Sequence, residues 1–281
     1  MKLGLFSINM GVNAKPDRLA ATAREAEDAG FDSVWAGEHV ILPDPQVPPS
    51  PMAPGDPALD PLLGLAWAAA HTTQLKLATG IIILPQRNPV VLAKQLASLD
   101  VLSGGRVVFG VGVGYLEPEF RAIGANFGRR GAVTDEFLDA IETLWYDEHP
   151  AFHGEFASFE GVDAHPRPAQ DRVPVIVGGH SPGAYRRAVR RGDGWYGFAL
   201  NEENVAGCLD SLRGASDTVD RPARLQPLEI TVTPRSRLTP ERVAAFAALG
   251  VHRLVPMPRA DADADGIRAT IEEAASAVAG Q

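Results

Sequence analysis

One stretch of the 281-residue chain constrains its fold more than any other: Ala78–Gly114, ATGIIILPQRNPVVLAKQLASLDVLSGGRVVFGVGVG, which lays out strand, helix and strand in a single short unit. The run from Leu75 to Leu84 is apolar and β-branched until Pro85 ends it, and Pro89 suits the first turn of a helix, where no N–H is needed. Val90, Leu92, Leu96, Leu99 and Leu102 then recur at helical spacing until Ser103, Gly104 and Gly105 stop the helix. Val107–Val113 is the returning strand. A strand this apolar belongs in a parallel sheet covered on both faces, and parallel strands require a crossover of this kind.

The same alternation runs through the chain. Candidate strands are Lys2–Ile8, Ser33–Glu38, Leu75–Leu84, Val107–Val113, Pro174–Gly178, Gly194–Ala199, Leu228–Val232 and Arg253–Pro256. Helical patterns fall at Pro16–Ala29, Pro61–His71, Pro89–Leu102, Thr134–Trp145, Ser181–Arg191, Glu203–Leu212, Pro240–Leu249 and Asp265–Val278. Eight repeats favour a closed (β/α)8 TIM barrel over an open sheet, and residues 1–281 are expected to form a single domain.

Two segments break the rhythm. Ile41–Pro61 carries Pro43, Pro45, Pro48, Pro49, Pro51, Pro54 and Pro57, so it forms neither regular helix nor interior strand. Following strand two, it is expected at the C-terminal mouth of the barrel, where active sites lie. Glu148–Arg172 is an insertion before strand five, and the alternation in AFHGEFASFEG predicts a small hairpin there. Such an insertion belongs near the bottom of a barrel unless it folds back over the top.

A formal charge of −9 and a pI near 5.3 argue against nucleic acid or an anionic membrane surface as general partners. Cys208 is the only cysteine, so no internal disulfide forms, and it reads as a small buried apolar residue on a helix. The N-terminus lacks a signal-peptide pattern and no apolar run reaches the ~20 residues that span a bilayer, so the expected location is the cytoplasm.

His39 closes SVWAGEH at the end of strand two, where an imidazole exchanges a proton near neutral pH. Glu38 beside it alternates to the other side of a regular strand. Thr79, Gly80 and Ile81 interrupt strand three with a glycine, the mark of a bulge or a close approach of backbone to ligand. Gly178, Gly179, His180 and Ser181 join strand five to a helix whose first N–H groups suit an anion, with Ser181 as N-cap and Pro182 at the first helical position. GVGVGY, Gly110–Tyr115, is no dinucleotide fingerprint, because its glycines alternate along a strand instead of opening a helix; Gly110 and Gly112 would leave interior room for a flat ring. Trp35, Tyr115, Trp195, Tyr196 and Met257 lie at or near strand ends as candidate pocket walls. No set of acidic and histidine residues suggests a metal, and His149 and His153 lack matching partners.

NPVVLAKQLASLDVLSGGR followed by FGVGVG, together with GFDSVWAGEHV, FHGEFASFEG, PVIVGGHSP and GDGWYG, resembles the luciferase-like flavin-dependent oxidoreductases, in particular the branch that uses the deazaflavin coenzyme F420. The resemblance spans most of the chain in the family's order. It implies a (β/α)8 barrel, a homodimer, and hydride transfer between the coenzyme's C5 carbon and a small organic substrate. His39 would face the coenzyme ring, a bulge at Thr79, Gly80 and Ile81 with a non-proline cis peptide would support the ring, and Gly178–Ser181 would hold its phosphate. The family's sugar-phosphate dehydrogenases carry a glutamate where this chain has Tyr115, and their substrate-binding lysines have no counterpart, so a sugar phosphate is not the expected substrate. The alternatives are an FMN-dependent monooxygenase served by a separate flavin reductase, and a non-catalytic flavin-binding protein.

Overall fold

A computed structural model describes residues 1–280. In chain order the elements are β1 (Lys2–Phe6), α1 (Pro16–Asp28), β2 (Ser33–Ala36), α2 (Pro61–Ala69), β3 (Lys76–Thr79), β4 (Ile82–Ile83), α3 (Pro89–Ser103), β5 (Val107–Gly112), α4 (Glu117–Ile123) and α5 (Arg130–Tyr146). There follow β6 (Phe152–His153), β7 (Ser158–Phe159), β8 (Val175–Gly178), α6 (Pro182–Arg191), β9 (Gly194–Leu200), α7 (Glu202–Ser216), β10 (Glu229–Pro234), α8 (Pro240–Ala248), β11 (Arg253–Leu254) and α9 (Ala264–Ala279). Local signals start these helices. Asp60, Asn88, Ser181, Asn201, Thr239 and Asp263 each accept a hydrogen bond from a backbone N–H in the first turn of the helix that follows. Gly104, in the left-handed region at φ 70°, ends α3.

All pairings around the main sheet are parallel, running β1, β2, β3, β5, β8, β9, β10, β11 and back to β1, which closes the barrel. Its interior is packed. Phe6, Trp35, Ala78, Val108, Ile176, Tyr196 and Val255 form one buried cluster inside, while a larger apolar layer lies between strands and helices. The bottom is plugged by Arg253, whose guanidinium meets Asp32 at 2.8 Å, Thr231 Oγ1 at 3.3 Å and the Glu229 carboxylate.

Strand three is not continuous. β3 pairs Leu77 with Val107 and Ala78 with Val108, whereas β4 pairs Ile82 with Val111 and Ile83 with Gly112, so three residues (79–81) oppose two (109 and 110) on β5. The Gly80–Ile81 peptide is cis. The glycines of β5 exist for this bulge. A Cβ on Gly110 would lie 1.8 Å from the Thr79 carbonyl oxygen, one on Gly112 2.7 Å from Ile81 Cδ1, and one on Gly178 of β8 3.0 Å from Ile81 Cγ2. The room expected for a flat ring opposite Gly110 and Gly112 is therefore filled by the bulge itself, and Thr79 Oγ1 bonds the Gly110 carbonyl at 2.7 Å.

The insertion before β8 does contain an antiparallel hairpin, β6 with β7. It folds back along α5: the backbone N–H groups of Glu155, Phe156 and Ala157 all bond the Glu136 carboxylate, in the mouth-side half of that helix.

Candidate active site

The C-terminal ends of the strands carry His39, the bulge, Tyr115, the Gly178–Ser181 turn and the 41–60 loop to one mouth. β2 ends at Ala36, and the next residues are held by Asn9, whose side chain bonds both the N–H and the carbonyl of Gly37 at 3.1 and 2.9 Å. This leaves Glu38 and His39 pointing apart. Glu38 is buried and binds the Ile83 N–H at 2.6 Å and the Arg87 guanidinium, so it braces the bulged strand and stays out of the site, as alternation suggested. His39, its side chain 9 % exposed, faces the mouth between two partners. Nδ1 lies 3.4 Å from Glu119 Oε2, and Nε2 lies 3.3 Å from the Tyr115 hydroxyl.

Sequence patterning does not single out Glu119. It sits on α4, which the pattern between Val113 and Thr134 does not reveal because seven residues carry too little periodicity. The available signals are Pro118 in the first turn with acidic residues on either side, and Gly124 in the left-handed region beyond the last turn. Burial pushes the Glu119 carboxyl up, but the His39 imidazole, the Gln86 amide and the Val40 N–H outweigh it and hold it below the ordinary carboxylate range. For Tyr115, burial and then the Glu119 charge push the phenol up, so its proton stays on.

The proline-rich loop does rise from this mouth, and both its ends are tied. Arg87 bonds Glu38 before the loop and Asp60 after it, the latter at 2.7 Å, while Asn9 Nδ2 bonds the Leu59 carbonyl at 2.7 Å. Neither Arg87 nor Asn9 stands out in the sequence as part of the site.

On the far side, Gly179 has φ 122° and Ser181 Oγ accepts from the Ala184 N–H, which opens α6 toward the mouth. His180 Nε2 accepts the Phe198 N–H at 3.1 Å, so Nδ1 carries the proton in the neutral ring, and burial pushes its pKa down. Phe198 packs against Phe6 with ring centroids 5.2 Å apart and the planes tilted by 56°. Two expected pocket walls lie elsewhere, one by depth and one by strand parity. Trp35 is fully buried inside the barrel, with its indole N–H on Ser33 Oγ at 3.0 Å. Trp195 faces outward from the barrel, packed against Tyr185 of α6 with its N–H on the Gly179 carbonyl at 2.9 Å. It supports the turn from behind. Tyr115 and Met257 remain exposed at the mouth, whereas Tyr196 points inward and bonds Thr233 at 2.6 Å.

These residues fit a flavin-type coenzyme. The turn at Gly179, where a Cβ would lie 3.1 Å from that of Ala184, leads into the first turn of α6, whose N–H groups suit an anion, and Ile81 and Phe198 offer apolar surface to a ring. Among the described residues there is no group of three or more histidine, cysteine or acidic side chains able to hold a metal.

A family model for luciferase-like monooxygenases matches residues 1–278. The chain belongs to that family. Among luciferase-like relatives, an uncharacterised protein of Mycobacterium tuberculosis is 32% identical over 288 residues, covering 99% of this chain and 98% of the relative. The F420-dependent glucose-6-phosphate dehydrogenase of Kineococcus radiotolerans is 34% identical over 184 residues, 64% of this chain and 52% of the enzyme. Two solved structures share the fold with TM-scores of 0.78. One is the monooxygenase RslO1 from Streptomyces bottropensis, at 22% identity and covering 100% of this chain and 99% of that one. The other is an F420-dependent secondary alcohol dehydrogenase in complex with an F420-acetone adduct, at 17% identity and covering 96% and 97%. No helix among the described residues is long and apolar enough to cross a membrane.

Proposed function

We propose that this luciferase-like protein is an F420-dependent oxidoreductase that moves hydride between the C5 carbon of the deazaflavin and a carbon of a small alcohol or carbonyl compound. The observation that carries the reading is His39, held at the mouth with Nε2 turned to Tyr115, with the glycine turn at Gly179 at the same mouth. When bound, the coenzyme supplies a ring carbon that accepts or gives hydride. His39 Nε2 takes the proton from the substrate hydroxyl as its C–H bond breaks, or returns it to the carbonyl oxygen in the reverse direction. The Tyr115 phenol, kept protonated, donates to the same substrate oxygen. The 41–60 loop, anchored at both ends, limits water at the mouth. The F420-dependent relative and the alcohol dehydrogenase of the same fold support the choice of coenzyme.

Equilibrium titration of the purified protein with F420 and with FMN, followed by fluorescence, tests this reading. Gly179→Asp serves as a control that puts a side chain and a negative charge on that turn. Micromolar or tighter F420 binding, lost in the control, is expected. Preference for FMN would instead support oxygen-dependent monooxygenation, and binding of neither would overturn both.

A further inference from the structure

Glu119 comes from a short helix outside the eightfold strand and helix repeat, yet its side chain is fully enclosed at the mouth. Its two oxygens serve different neighbours. Oε1 accepts the Val40 N–H at 2.6 Å and the Ile41 N–H at 3.5 Å, the first links of the proline-rich loop. Oε2 faces His39 Nδ1. An ionised carboxylate only accepts, so the ring nitrogen beside it must carry hydrogen, and Nε2 is left with its lone pair toward Tyr115.

We propose that Glu119 is the positioning residue of the site: it fixes the tautomer of His39 and, through the same carboxylate, the departure of the loop that covers it. The inference rests on the reading of His39 as the group that exchanges the substrate proton. Glu119 does not itself reach the substrate. When Nε2 takes a proton from the substrate oxygen, the ring becomes an imidazolium whose Nδ1–H remains on Oε2, and the positive charge formed there is matched by the carboxylate without any second proton moving. The other side-chain neighbour of His39 is Tyr115, which is neutral; Glu38 is turned away and paired with Arg87.

Glu119→Gln separates this role from a purely structural one. The amide oxygen can keep the Val40 N–H, which places the NH2 group where Oε2 was. A donor then faces Nδ1, and the imidazole must move its hydrogen to Nε2 to accept it. The tautomer is read from imidazole 15N shifts of labelled protein without coenzyme. The wild type should carry hydrogen on Nδ1 and Glu119→Gln on Nε2, with F420 affinity retained and kcat lower by on the order of 10²-fold. Hydrogen on Nε2 in the wild type, or an unchanged tautomer in the variant, would overturn the proposal; the first of these needs no variant to fold. The tautomer does not depend on F420, so failure of the coenzyme titration would remove the proposed reaction while leaving the assignment of Glu119 separately decided.

Discussion

His39 sits where three constraints meet: the end of β2, the Glu119 carboxylate and the Tyr115 hydroxyl. Replacing it by glutamine should cut turnover by about 10²–10⁴-fold while F420 binding persists, a split that single-turnover kinetics and the fluorescence titration together resolve. Glu119 carries a second expectation, for stability. Its carboxyl is held low in the folded protein, against about 4.3 when unfolded, so the unfolded chain binds the proton first as pH drops. The contribution is whole above about pH 4.3 and lost as pH falls through the lower folded value. Urea melts at pH 7 and pH 4 should show a larger loss for wild type than for Glu119→Gln; equal losses would contradict it. Gly110 marks the opposite kind of constraint, purely steric. Its missing Cβ leaves space for a carbonyl oxygen that would otherwise lie at 1.8 Å, so Gly110→Ala should cost about 3 kcal/mol or more by thermal melting. His39 was legible in the residues alone; its Glu119 partner and the reason for Gly110 were not. The glycine alternation was plain, but it pointed to room for a ligand, and only the register of the neighbouring strand shows that the occupant is the protein's own backbone.

At the scale of elements, the eight repeats were readable because each strand is a short apolar run and each long helix except α5 begins at a proline or a capping side chain. Most strands are shorter than expected, although β9 and β10 run on to Leu200 and Pro234, and some helices are longer, such as α7, which extends to Ser216 beyond the expected Leu212. Periodicity fades there as Gly214 and polar residues take over, yet the backbone bonds continue. α7 therefore offers a direct contrast with β5. Gly207 and Gly214 lie exposed on it, with nothing within 4 Å of the point where a methyl group would stand, so alanine at each should add about 0.5–1 kcal/mol, measured by urea denaturation. What the pattern missed, α4, is the element that brings Glu119 to the site. What it misplaced had two causes: Trp35 does face the interior but lies enclosed in its packing, whereas Trp195 turned on parity, since one residue earlier or later on a strand exchanges the interior for the helix layer.

Over the whole molecule, the barrel is closed by pairing and held shut at its base by charge. Arg253, 2 % exposed, links Asp32 before β2 to Glu229 at the start of β10. Arg253→Met should cost about 3 kcal/mol in urea unfolding, since the Asp32 carboxylate would be left without its cation and Glu229 with Lys2 alone. Outside the barrel, Leu63 and Trp67 on α2 and Val91 and Leu102 on α3 remain exposed, with Leu63 at 72% and Leu102 at 78%. The expectation of a homodimer makes them candidates for a subunit contact. Light scattering should give twice the 29.9 kDa chain mass, and Leu102→Glu should return it to one. The loop between residues 41 and 60 is free of such obligations. Because Arg87 and Asn9 pin its two feet next to each other, its span is a detachable cassette: lengthening it adds only about 0.6 kcal/mol per doubling, and new sequences grafted between the same feet can retune what enters the barrel without the barrel having to change.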